Sequence, residues 1–582
     1  MRAAEGLNSW RETLSKPGSG MIATRMLRPL QSAPMADAPR AQPHPVSSHH
    51  PYVPTLRRRL SARLTALACA LALFAPPVLS PVQAQSQLPM LGDPAGEDFG
   101  VGTERKLGDE IMREIRVDPD YLDDPVLLEY LQSIWQPLLA QSRARGNIAP
   151  ELDEHFAWEP FLVRDKSVNA FALPGGFVGV HLGLIAMTAT RDELASVLAH
   201  EMSHVTQRHI ARSIANAKRT SLLSLATLLA GILVASKAGS NSTPDAVMAT
   251  VMGSQALGVQ GQLNFSRDME READRIGFQV MTGAGFSPGG MAAMFEKLDV
   301  ANRLNDSGGY PYLRSHPLTS ERIGEARGRL GTVPPAPPVS VLEHSLAQAR
   351  SRILMDSRFD ALRRWQALDG DRVTSALPDK LANAYESAFA STLLRDFQRA
   401  DGAIANAYAL VREAPGKKDV RAERAVALLQ AQSLLARGES ARAVGVLQPY
   451  VGEGARPVLL LQAQAALALA NAGANEDAAL KQRSSDLQTW LAIHPRDSLA
   501  WSAAGQIDDK LGYPLRAIRA DAESRYALGD LDGAADRLRA GQRRARSGGA
   551  FDFIDVSVID ARLRDIEQQR KQRLADLKAN KF

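Results

Sequence analysis

Two histidines and a glutamate, spaced as His200-Glu201-x-x-His204, are the side chains of this sequence best suited to chemistry. On an α-helix, residues four apart lie on one face, one turn from each other. Both imidazoles can therefore bind one metal ion, while the Glu201 carboxylate, about 100° round the helix, can reach a water molecule beside it. The spacing predicts a metal-dependent hydrolytic site with Glu201 as the general base.

The flanking sequence favours a helix around this motif. Residues 190–219 contain neither Gly nor Pro, and Thr190 followed by Glu193 is typical of a capping box at a helix start. Apolar residues recur at roughly helical spacing, as Leu194, Val197, Leu198 and Val205. On such a helix His209, five residues beyond His204, leaves the metal-binding face, and we expect it at the surface.

A hydrolytic zinc site needs a third protein ligand and one open position. The only cysteine, Cys69, lies in an apolar run near the N-terminus that is predicted below to be part of a cleaved secretory signal. The mature chain would then hold no cysteine, which excludes a thiolate ligand. A third histidine of the metzincin type is also excluded, since Gln207 and Ile210 stand where that pattern has Gly and His. A glutamate on a second helix remains, and the segment 270–274, EREAD, offers one.

Glu270 and Asp274 are four residues apart and share one face of that helix. The spacing predicts Glu270 as the third ligand. It also predicts Asp274 as the acceptor of a hydrogen bond from a ligating imidazole, which fixes the tautomer and orientation of that ring. Glu272 lies nearly opposite on the helix, and we expect it to be solvated. The alternative is that the motif histidines are ordinary surface residues, but the two helices together favour a site for one Zn²⁺ per chain.

Several helices and strands must position these residues. Residues 102–142 show two helical patterns, and 156–163 is typical of a strand. The second acidic helix is predicted over 267–282, with Ser266 as its N-cap and Gly283 as its stop.

A hairpin is predicted just before the catalytic motif. Residues 169–184, NAFALPGGFVGVHLGL, indicate two short strands about a Pro-Gly-Gly turn. One interpretation is a core hairpin. The other adds an exposed strand edge near the metal, where Phe171, Ala172 and Leu173 pair with an extended peptide substrate. Such an edge selects unfolded chains over folded ones, because only an extended segment can pair with it.

One apolar segment raises the question of a membrane. Residues 221–236, SLLSLATLLAGILVAS, are largely apolar but short for a membrane span. A buried or lid helix is the favoured interpretation, and a membrane-touching element or a true span is the alternative. We therefore expect membrane association that is peripheral at most.

Beyond residue 340 the chain is predicted to be nearly all helical and internally repetitive. Four glycines are each followed five residues later by alanine: Gly438, Gly473, Gly512 and Gly529 precede Ala443, Ala478, Ala517 and Ala534. The first two steps are close to the tetratricopeptide period, and Trp501-x-x-Ala504-Gly505 falls where that repeat has W-x-x-L-G. The alternative is a non-repeating helical domain.

The net charge of +5 belongs to the N-terminal segment. Residues 1–84 hold ten Lys and Arg and three Asp and Glu, which leaves a net charge of −2 on the rest and no argument for nucleic-acid binding.

The same N-terminal segment has the order of a secretory signal. Arginines at 57–59 precede an apolar run at 64–74 and a small-residue cleavage site at 82–84. This order is typical of a cleaved secretory signal.

The predicted fold is mainly α with a small β-sheet. An α+β zincin-like metalloprotease domain is followed by an all-α tetratricopeptide-repeat solenoid. The predicted boundaries are a disordered or over-extended N-terminus at 1–56, a signal peptide at 57–84, the metalloprotease domain at 85–332, a Pro-rich linker at 333–340 and the repeat domain at 341–582.

Three motifs carry a resemblance to a known family. AHEMSH, EREADRIG and HPLTSER, together with NAFALPGG, resemble the gluzincin peptidases that include HtpX and the CAAX prenyl proteases. The likeness is strongest to a periplasmic branch with a C-terminal tetratricopeptide domain. The resemblance implies a zinc endopeptidase in periplasmic quality control or assembly of outer-membrane proteins. Its expected partners are unfolded or misassembled proteins and, through the repeats, the outer-membrane assembly machinery. The alternative is a chaperone or adaptor scaffold with little peptidase activity.

The resemblance also implies roles for individual residues. It places Glu270 at the third-ligand position. It makes His316, in the HPLTSER segment, a plug that occupies the open zinc position and holds the enzyme latent. Arg322 matches an arginine of the same segment, and a structural salt bridge and transition-state stabilisation both remain open for it.

Overall fold

The structure, a computed structural model, describes residues 99–216, 266–304, 310–331, 342–370, 376–416, 418–547 and 553–578. Some predicted features lie outside these residues: the N-terminal segment 1–56, the signal peptide at 57–84, the apolar segment 221–236 and the linker at 333–340.

Short apolar segments separated by turns form a four-stranded sheet. Its strands are β1 (Tyr121–Leu122), β2 (Glu159–Val163), β3 (Ala170–Leu173) and β4 (Phe177–His181). The order across the sheet is β1-β2-β4-β3; β2 and β4 run parallel, and the other two pairs are antiparallel. The two short strands of the predicted hairpin are confirmed, and β3 lies at one end of the sheet.

Ten helices are described in the part of the chain up to residue 331. They are α1 (Val101–Val117), α2 (Pro125–Ala144), α3 (Pro150–His155), α4 (Leu182–Met187), α5 (Arg191–Thr206), α6 (His209–Asn216), α7 (Arg267–Gly283), α8 (Gly289–Leu304), α9 (Tyr312–Ser315) and α10 (Ser320–Gly328). The two helices predicted within 102–142 are α1 and α2. Helix α7 begins as predicted, because the Ser266 side chain accepts a hydrogen bond from Met269 N. It ends one residue later than predicted, since Gly283 lies within the helix and Ala284 is its C-cap.

The β3–β4 turn is held by glycines. Gly175 and Gly176 have φ of 77° and 89°, a left-handed conformation that glycine adopts without strain. A Cβ on Gly108 of α1 would lie 2.0 Å from Pro174 O, so the turn packs directly on the α1 backbone. This contact fixes the end of β3 against α1.

Helices α5 and α7 pack closely enough to require a glycine. A Cβ on Gly277 would lie 3.1 Å from the backbone of Ala199 and of His200. Nearly every residue of α5 from Glu193 onward is buried, because the sheet, α2, α7 and α8 surround it. The predicted motif helix is therefore the central element of this part of the fold.

The second half of the chain is helical, as predicted. Its α-helices are α11 (Leu342–Met355), α12 (Phe359–Gln366), α13 (Leu377–Leu393), α14 (Phe397–Glu413), α15 (Val420–Ala436), α16 (Ser440–Leu447), α17 (Arg456–Asn471), α18 (Asp477–Ile493), α19 (Ser498–Lys510), α20 (Pro514–Ala527), α21 (Leu531–Arg546) and α22 (Phe553–Lys578). Two 3₁₀ helices, Ala367–Gly370 and Gln448–Glu453, extend α12 and α16.

The glycines of the predicted repeats all adopt positive φ at helix ends: Gly438, Gly473, Gly512 and Gly529. The alanines that follow them differ in burial, since Ala443 and Ala534 are fully buried whereas Ala478 is exposed. Close helix approach occurs at Gly505, where a Cβ would lie 3.3 Å from Ala517 O. The tetratricopeptide assignment of these helices stays a prediction.

The two halves share a core and buried polar contacts. One apolar cluster runs from Phe99 to Leu429 and so crosses the predicted domain boundary. Asp124, the N-cap of α2, accepts two hydrogen bonds from Arg350 of α11, at 2.8 and 2.7 Å. Asp123 beside it accepts from Arg456 of α17 at 2.6 and 2.8 Å.

Among the described residues, no helix combines the length and apolar character that crossing a membrane requires.

Candidate metal centre

Helix α5 carries the three residues of the predicted motif and buries all of them. His200, Glu201 and His204 are at most 1% exposed. Thr190 begins the helix, since its side chain accepts a hydrogen bond from Glu193 N at 3.1 Å, as the capping signal predicts. The motif residues therefore lie inside the protein, not on its surface.

Four donor groups converge beside α5. The ligand atoms of His200, His204, Glu270 and His316 all lie within 4.8 Å of one another. Nε2 of His200 and Nε2 of His204 are 3.0 Å apart, and each lies 3.5 Å from a carboxylate oxygen of Glu270. Imidazole nitrogens and a carboxylate are the ligands that zinc binds in catalytic sites.

The charges around the two facing imidazoles suit a cation. Burial lowers the pKa of His200, but hydrogen bonds with Asp274 and Glu270 outweigh burial and raise this pKa to about 10. Burial and the neighbouring His200 hold the pKa of His204 well below 6.5. The two Nε2 atoms, 3.0 Å apart, thus face each other beside carboxylates that favour a positive charge. The donor set fits a metal ion, which supplies such a charge.

Helix α7 presents Glu270 and Asp274 on one face, towards α5. Asp274 Oδ1 lies 2.9 Å from His200 Nδ1, within hydrogen-bonding distance. Burial would raise the pKa of both carboxyls. The pKa of Glu270 is instead held below its ordinary range by the neighbouring His316 and His200. The pKa of Asp274 is likewise held low by His200 and Arg322. Both carboxylates are therefore ionised, as ligation and imidazole orientation require.

Arg322 of α10 binds both carboxylates of α7. Its Nε and Nη2 donate to Asp274 at 2.7 and 2.9 Å, and its Nη1 lies 2.9 Å from Glu270 Oε2. Nη1 also donates to Pro317 O at 2.8 Å. The guanidinium thus connects the HPLTSER segment to the acidic helix.

His316 ends α9 and joins the donor set. Its Nδ1 lies 2.9 Å from Glu270 Oε1 and 3.3 Å from His200 Nε2, while its Nε2 lies 3.5 Å from Glu201 Oε1. The ring stacks on Tyr312, with centroids 4.7 Å apart and 28° between the planes. Sequence reasoning missed Tyr312, although two aromatic rings four residues apart on a short helix would have indicated the stack.

Glu201 faces the sheet edge. Its Oε2 accepts a hydrogen bond from Ala172 N at 3.0 Å. Its Oε1 is buried and has no hydrogen-bond partner in the described part of the chain. Burial raises the pKa of this carboxyl, and the nearby His316 and His200 oppose that rise. Oε1 is therefore the oxygen through which Glu201 can take up a proton.

Strand β3 contains Phe171, Ala172 and Leu173, the residues predicted to form an exposed edge that pairs with substrate. Ala172 and Leu173 are buried and Phe171 is partly exposed. The Phe171 ring covers Gly179 of β4, where a Cβ would lie 2.4 Å from it. The strand thus joins the motif helix directly, through the hydrogen bond from Ala172 to Glu201.

The surface position expected for His209 is wrong, whereas Glu272 is partly exposed, with 30% of its side chain accessible. His209 is fully buried, because α5 ends at Thr206 and Arg208 takes a left-handed φ of 51° before α6 begins. The expectation assumed that α5 continues through residue 209, and it failed because the chain leaves the helix before that residue. Glu272, expected to be solvated, accepts hydrogen bonds from His209 Nε2 at 3.1 Å and from Arg212 Nη1 at 3.0 Å.

Comparisons with known proteins place the chain in a family. Residues 129–330 match the model of peptidase family M48. A protein of Yersinia pestis named beta-barrel assembly-enhancing protease is 30% identical over 497 residues, which span 82% of this chain and 91% of that protein. The chain belongs to peptidase family M48. The resemblance to the HtpX-type gluzincin peptidases, and to their periplasmic branch, is thereby confirmed.

Two further relatives match over shorter spans. A Vibrio cholerae protein named putative beta-barrel assembly-enhancing protease is 34% identical over 334 residues, 56% of this chain and 64% of that protein. The Escherichia coli K12 beta-barrel assembly-enhancing protease is 35% identical over 264 residues, 45% of this chain and 51% of that protein. The alignments thus span about half to two thirds of these two relatives.

Proposed function

We propose that this M48 chain is a zinc-dependent endopeptidase that acts in the periplasm on misfolded or stalled outer-membrane proteins. The observation that carries the proposal is the buried convergence of His200, His204 and Glu270 beside Glu201, with ligand atoms within 4.8 Å of one another. Family membership supports a peptidase, and the names of three relatives support a role in β-barrel assembly.

The ligands of the proposed site are His200, His204 and Glu270, for one Zn²⁺ per chain. When bound, zinc would lower the pKa of a water molecule and polarise the carbonyl of the scissile peptide. Asp274 orients His200 through Nδ1, and Arg322 holds Asp274 in place with two hydrogen bonds. These contacts support a structural role for Arg322 rather than contact with the transition state.

Glu201 is the proposed general base and acid. Ala172 N holds Oε2 at 3.0 Å, which leaves Oε1 to take a proton from water and pass one to the leaving amine. Burial raises the pKa of this carboxyl and so increases its affinity for the proton it must carry. The sheet thereby fixes the orientation of the base.

The substrate is proposed to bind β3 as an added antiparallel strand. β3 ends the described sheet, and its residue Ala172 contacts the base. An extended segment that pairs there would bring a peptide bond next to Glu201. Folded β-barrels have no such free segment, so this geometry favours unfolded or misassembled chains.

His316 is proposed to keep the site latent. It supplies a fourth donor within 4.8 Å of the other three and lies 3.5 Å from Glu201 Oε1. A ring in this position takes the place that a reacting water needs. Activity then requires that the α9–α10 segment withdraw His316.

The helices beyond residue 341 are proposed to bind the outer-membrane assembly machinery, and the segment 57–84 is proposed to direct export.

The test combines metal content with cleavage of an unfolded substrate. We expect one zinc per chain by mass spectrometry, and casein cleavage that Glu201→Gln reduces by about 10²–10⁴-fold while zinc content is unchanged. Glu270→Ala should lose zinc. Zinc-loaded protein whose cleavage does not depend on Glu201, even in His316→Ala, would instead favour a chaperone or adaptor scaffold.

A further inference from the structure

A row of three side chains lies behind His204, on the side away from the donor set. His204 Nδ1 and His209 Nδ1 are 2.9 Å apart, with the rings at 77° and their centroids 4.8 Å apart. His209 Nε2 lies 3.1 Å from Glu272 Oε2, and Arg212 Nη1 donates to the same oxygen at 3.0 Å. The row thus runs from a candidate ligand to a partly exposed ion pair.

The hydrogen positions in this row follow from the chemistry of its members. The Glu272 carboxylate only accepts, so the proton between it and His209 sits on His209 Nε2. If His204 ligates through Nε2, its one N–H is on Nδ1, so His209 Nδ1, 2.9 Å away, must accept that hydrogen bond and His209 is neutral. His204 then carries its proton on Nδ1, and its Nε2 lone pair faces the donor set.

The chain geometry that places His209 is itself costly and held by distant contacts. Arg208 adopts a left-handed φ of 51°, which a non-glycine residue rarely takes. Its Nε donates to the buried Glu104 of α1 at 2.9 Å, and its Nη2 donates to Phe99 O at 2.6 Å. These contacts turn the chain after α5, so that the first residue of α6 lies under His204.

We propose that His209 is a positioning residue that holds His204 in the Nδ1–H tautomer with Nε2 directed at the metal. Glu272, itself fixed by Arg212, holds His209 in turn. The inference rests on the proposed zinc site for the identity of the ion. The two ligating imidazoles are then oriented by different chemistry: His200 by the carboxylate of Asp274, and His204 by a neutral ring.

The test is zinc affinity of the full chain, by competition with a chromophoric chelator. His209→Leu fills the space without an acceptor and should weaken zinc binding by about 10–100-fold. His209→Asn places an amide oxygen near the Nδ1 position and should restore affinity to near that of the wild type. Glu272→Ala should fall between these two. His155→Leu replaces an exposed histidine and is the control.

Two spectroscopic readouts separate positioning from stability. In the Co²⁺-substituted protein, His209→Leu should shift the visible d–d bands and His209→Asn should restore them; a purely structural residue would leave the bands of the folded protein unchanged. In ¹⁵N-histidine-labelled metal-free protein, His204 should be the Nδ1–H tautomer in the wild type and a mixture in His209→Leu.

The outcomes are distinguishable. Wild-type protein that binds no zinc would overturn the proposed function, and the tautomer measured without metal would then decide the role of His209. Wild-type protein that binds zinc, with equal affinity and equal Co²⁺ bands in His209→Leu, would overturn the positioning role and leave the proposed function intact. Failure of His209→Asn to restore affinity would also contradict it, because the acceptor would then not be the feature that matters.

Discussion

Arg322 stabilises a site that would otherwise concentrate negative charge. Glu201, Glu270 and Asp274 are all buried, and the guanidinium of Arg322 contacts two of them. Its own pKa is raised: burial would lower it, but the bond to Asp274 more than compensates. The guanidinium therefore stays charged, and the carboxylates remain available to orient and to bind.

His316→Ala should raise peptidase activity. The ring lies among the three proposed ligands and 3.5 Å from Glu201 Oε1, so its removal frees the position for water. A plug favoured by about 1.4 kcal/mol leaves roughly a tenth of the molecules open, and its removal would raise activity about tenfold. The measurement is the initial rate of casein cleavage at equal zinc content. His155→Ala is the control, and an unchanged or lower rate in His316→Ala would contradict latency.

Glu386 should make stability depend on pH. This buried carboxyl of α13 accepts from Arg352 Nη1 at 2.9 Å, but burial outweighs that contact and raises its pKa to about 7. The folded state then holds the proton more tightly than the unfolded chain. The resulting stability is present below about pH 4.5 and is lost as the pH rises to about 7, on the order of 3 kcal/mol.

Melting temperatures of wild type and Glu386→Gln between pH 5 and 8 test this. Gln does not ionise, so the wild type should lose stability relative to Glu386→Gln as the pH rises. Glu439→Gln, at the half-exposed start of α16, controls for the loss of a glutamate that is not buried. A difference between wild type and Glu386→Gln that is the same at every pH would exclude the effect.

At the scale of elements, the closeness of α5 and α7 decides the geometry of the donor set. Gly277→Val should push the helices apart, because even a Cβ there would lie 3.1 Å from the Ala199 and His200 backbone. We expect a loss of about 1–3 kcal/mol of stability, as for other overpacked cores, and weaker zinc binding. Gly324→Val in α10 is the matched control, since nothing lies within 4 Å of a Cβ at that position.

Thermal denaturation and chelator competition on both variants provide the measurement. Equal effects of Gly277→Val and Gly324→Val would show that the loss comes from helix propensity and not from the contact between α5 and α7.

The elements with local signals were predictable from the sequence. Helix α7 begins after Ser266 and the hairpin turns at Gly175 and Gly176, because a side-chain cap and positive φ are requirements of neighbouring residues alone. The i to i+4 spacing likewise indicated that Glu270 and Asp274 share a face. The local sequence pattern was sufficient to predict a feature wherever its physical cause lies within four or so neighbouring residues.

The position of His209 was not predictable from such signals. The break that buries it depends on Glu104, which binds Arg208 from 104 residues away. The contact between Arg322 and Asp274, 48 residues apart, is equally invisible to periodicity. Both contacts depend on which helices pack together, and local patterns in one sequence do not reveal that packing.

At the scale of the whole molecule, the two halves are joined by buried charge. Arg350 of α11 is 2% exposed and makes two hydrogen bonds to Asp124, which also caps α2. Removing one partner of a buried pair leaves the other charge uncompensated. The contact therefore makes folding of the first half depend on helices beyond the predicted linker.

Arg350→Met should cost about 3–5 kcal/mol, because Asp124 loses its buried partner. Arg358→Met is the matched control: its pair with Asp356 has the arginine 83% exposed, so water already screens the charges and loss of the pair should leave stability nearly unchanged. Urea denaturation followed by helical circular dichroism measures both. Similar midpoints for the two variants would show that the pair between the halves contributes no more than a surface pair.

The donors of the candidate metal centre are far apart along the chain: His316 is 116 residues from His200 and 46 from Glu270. Closing such long loops belongs to the late part of folding, after much of the core has formed. Zinc bound by the completed site would therefore strengthen contacts that the folding transition state lacks. It would slow unfolding and leave the rate of refolding nearly unchanged. The lifetime of the folded chain, more than the ease with which it folds, would then depend on the metal.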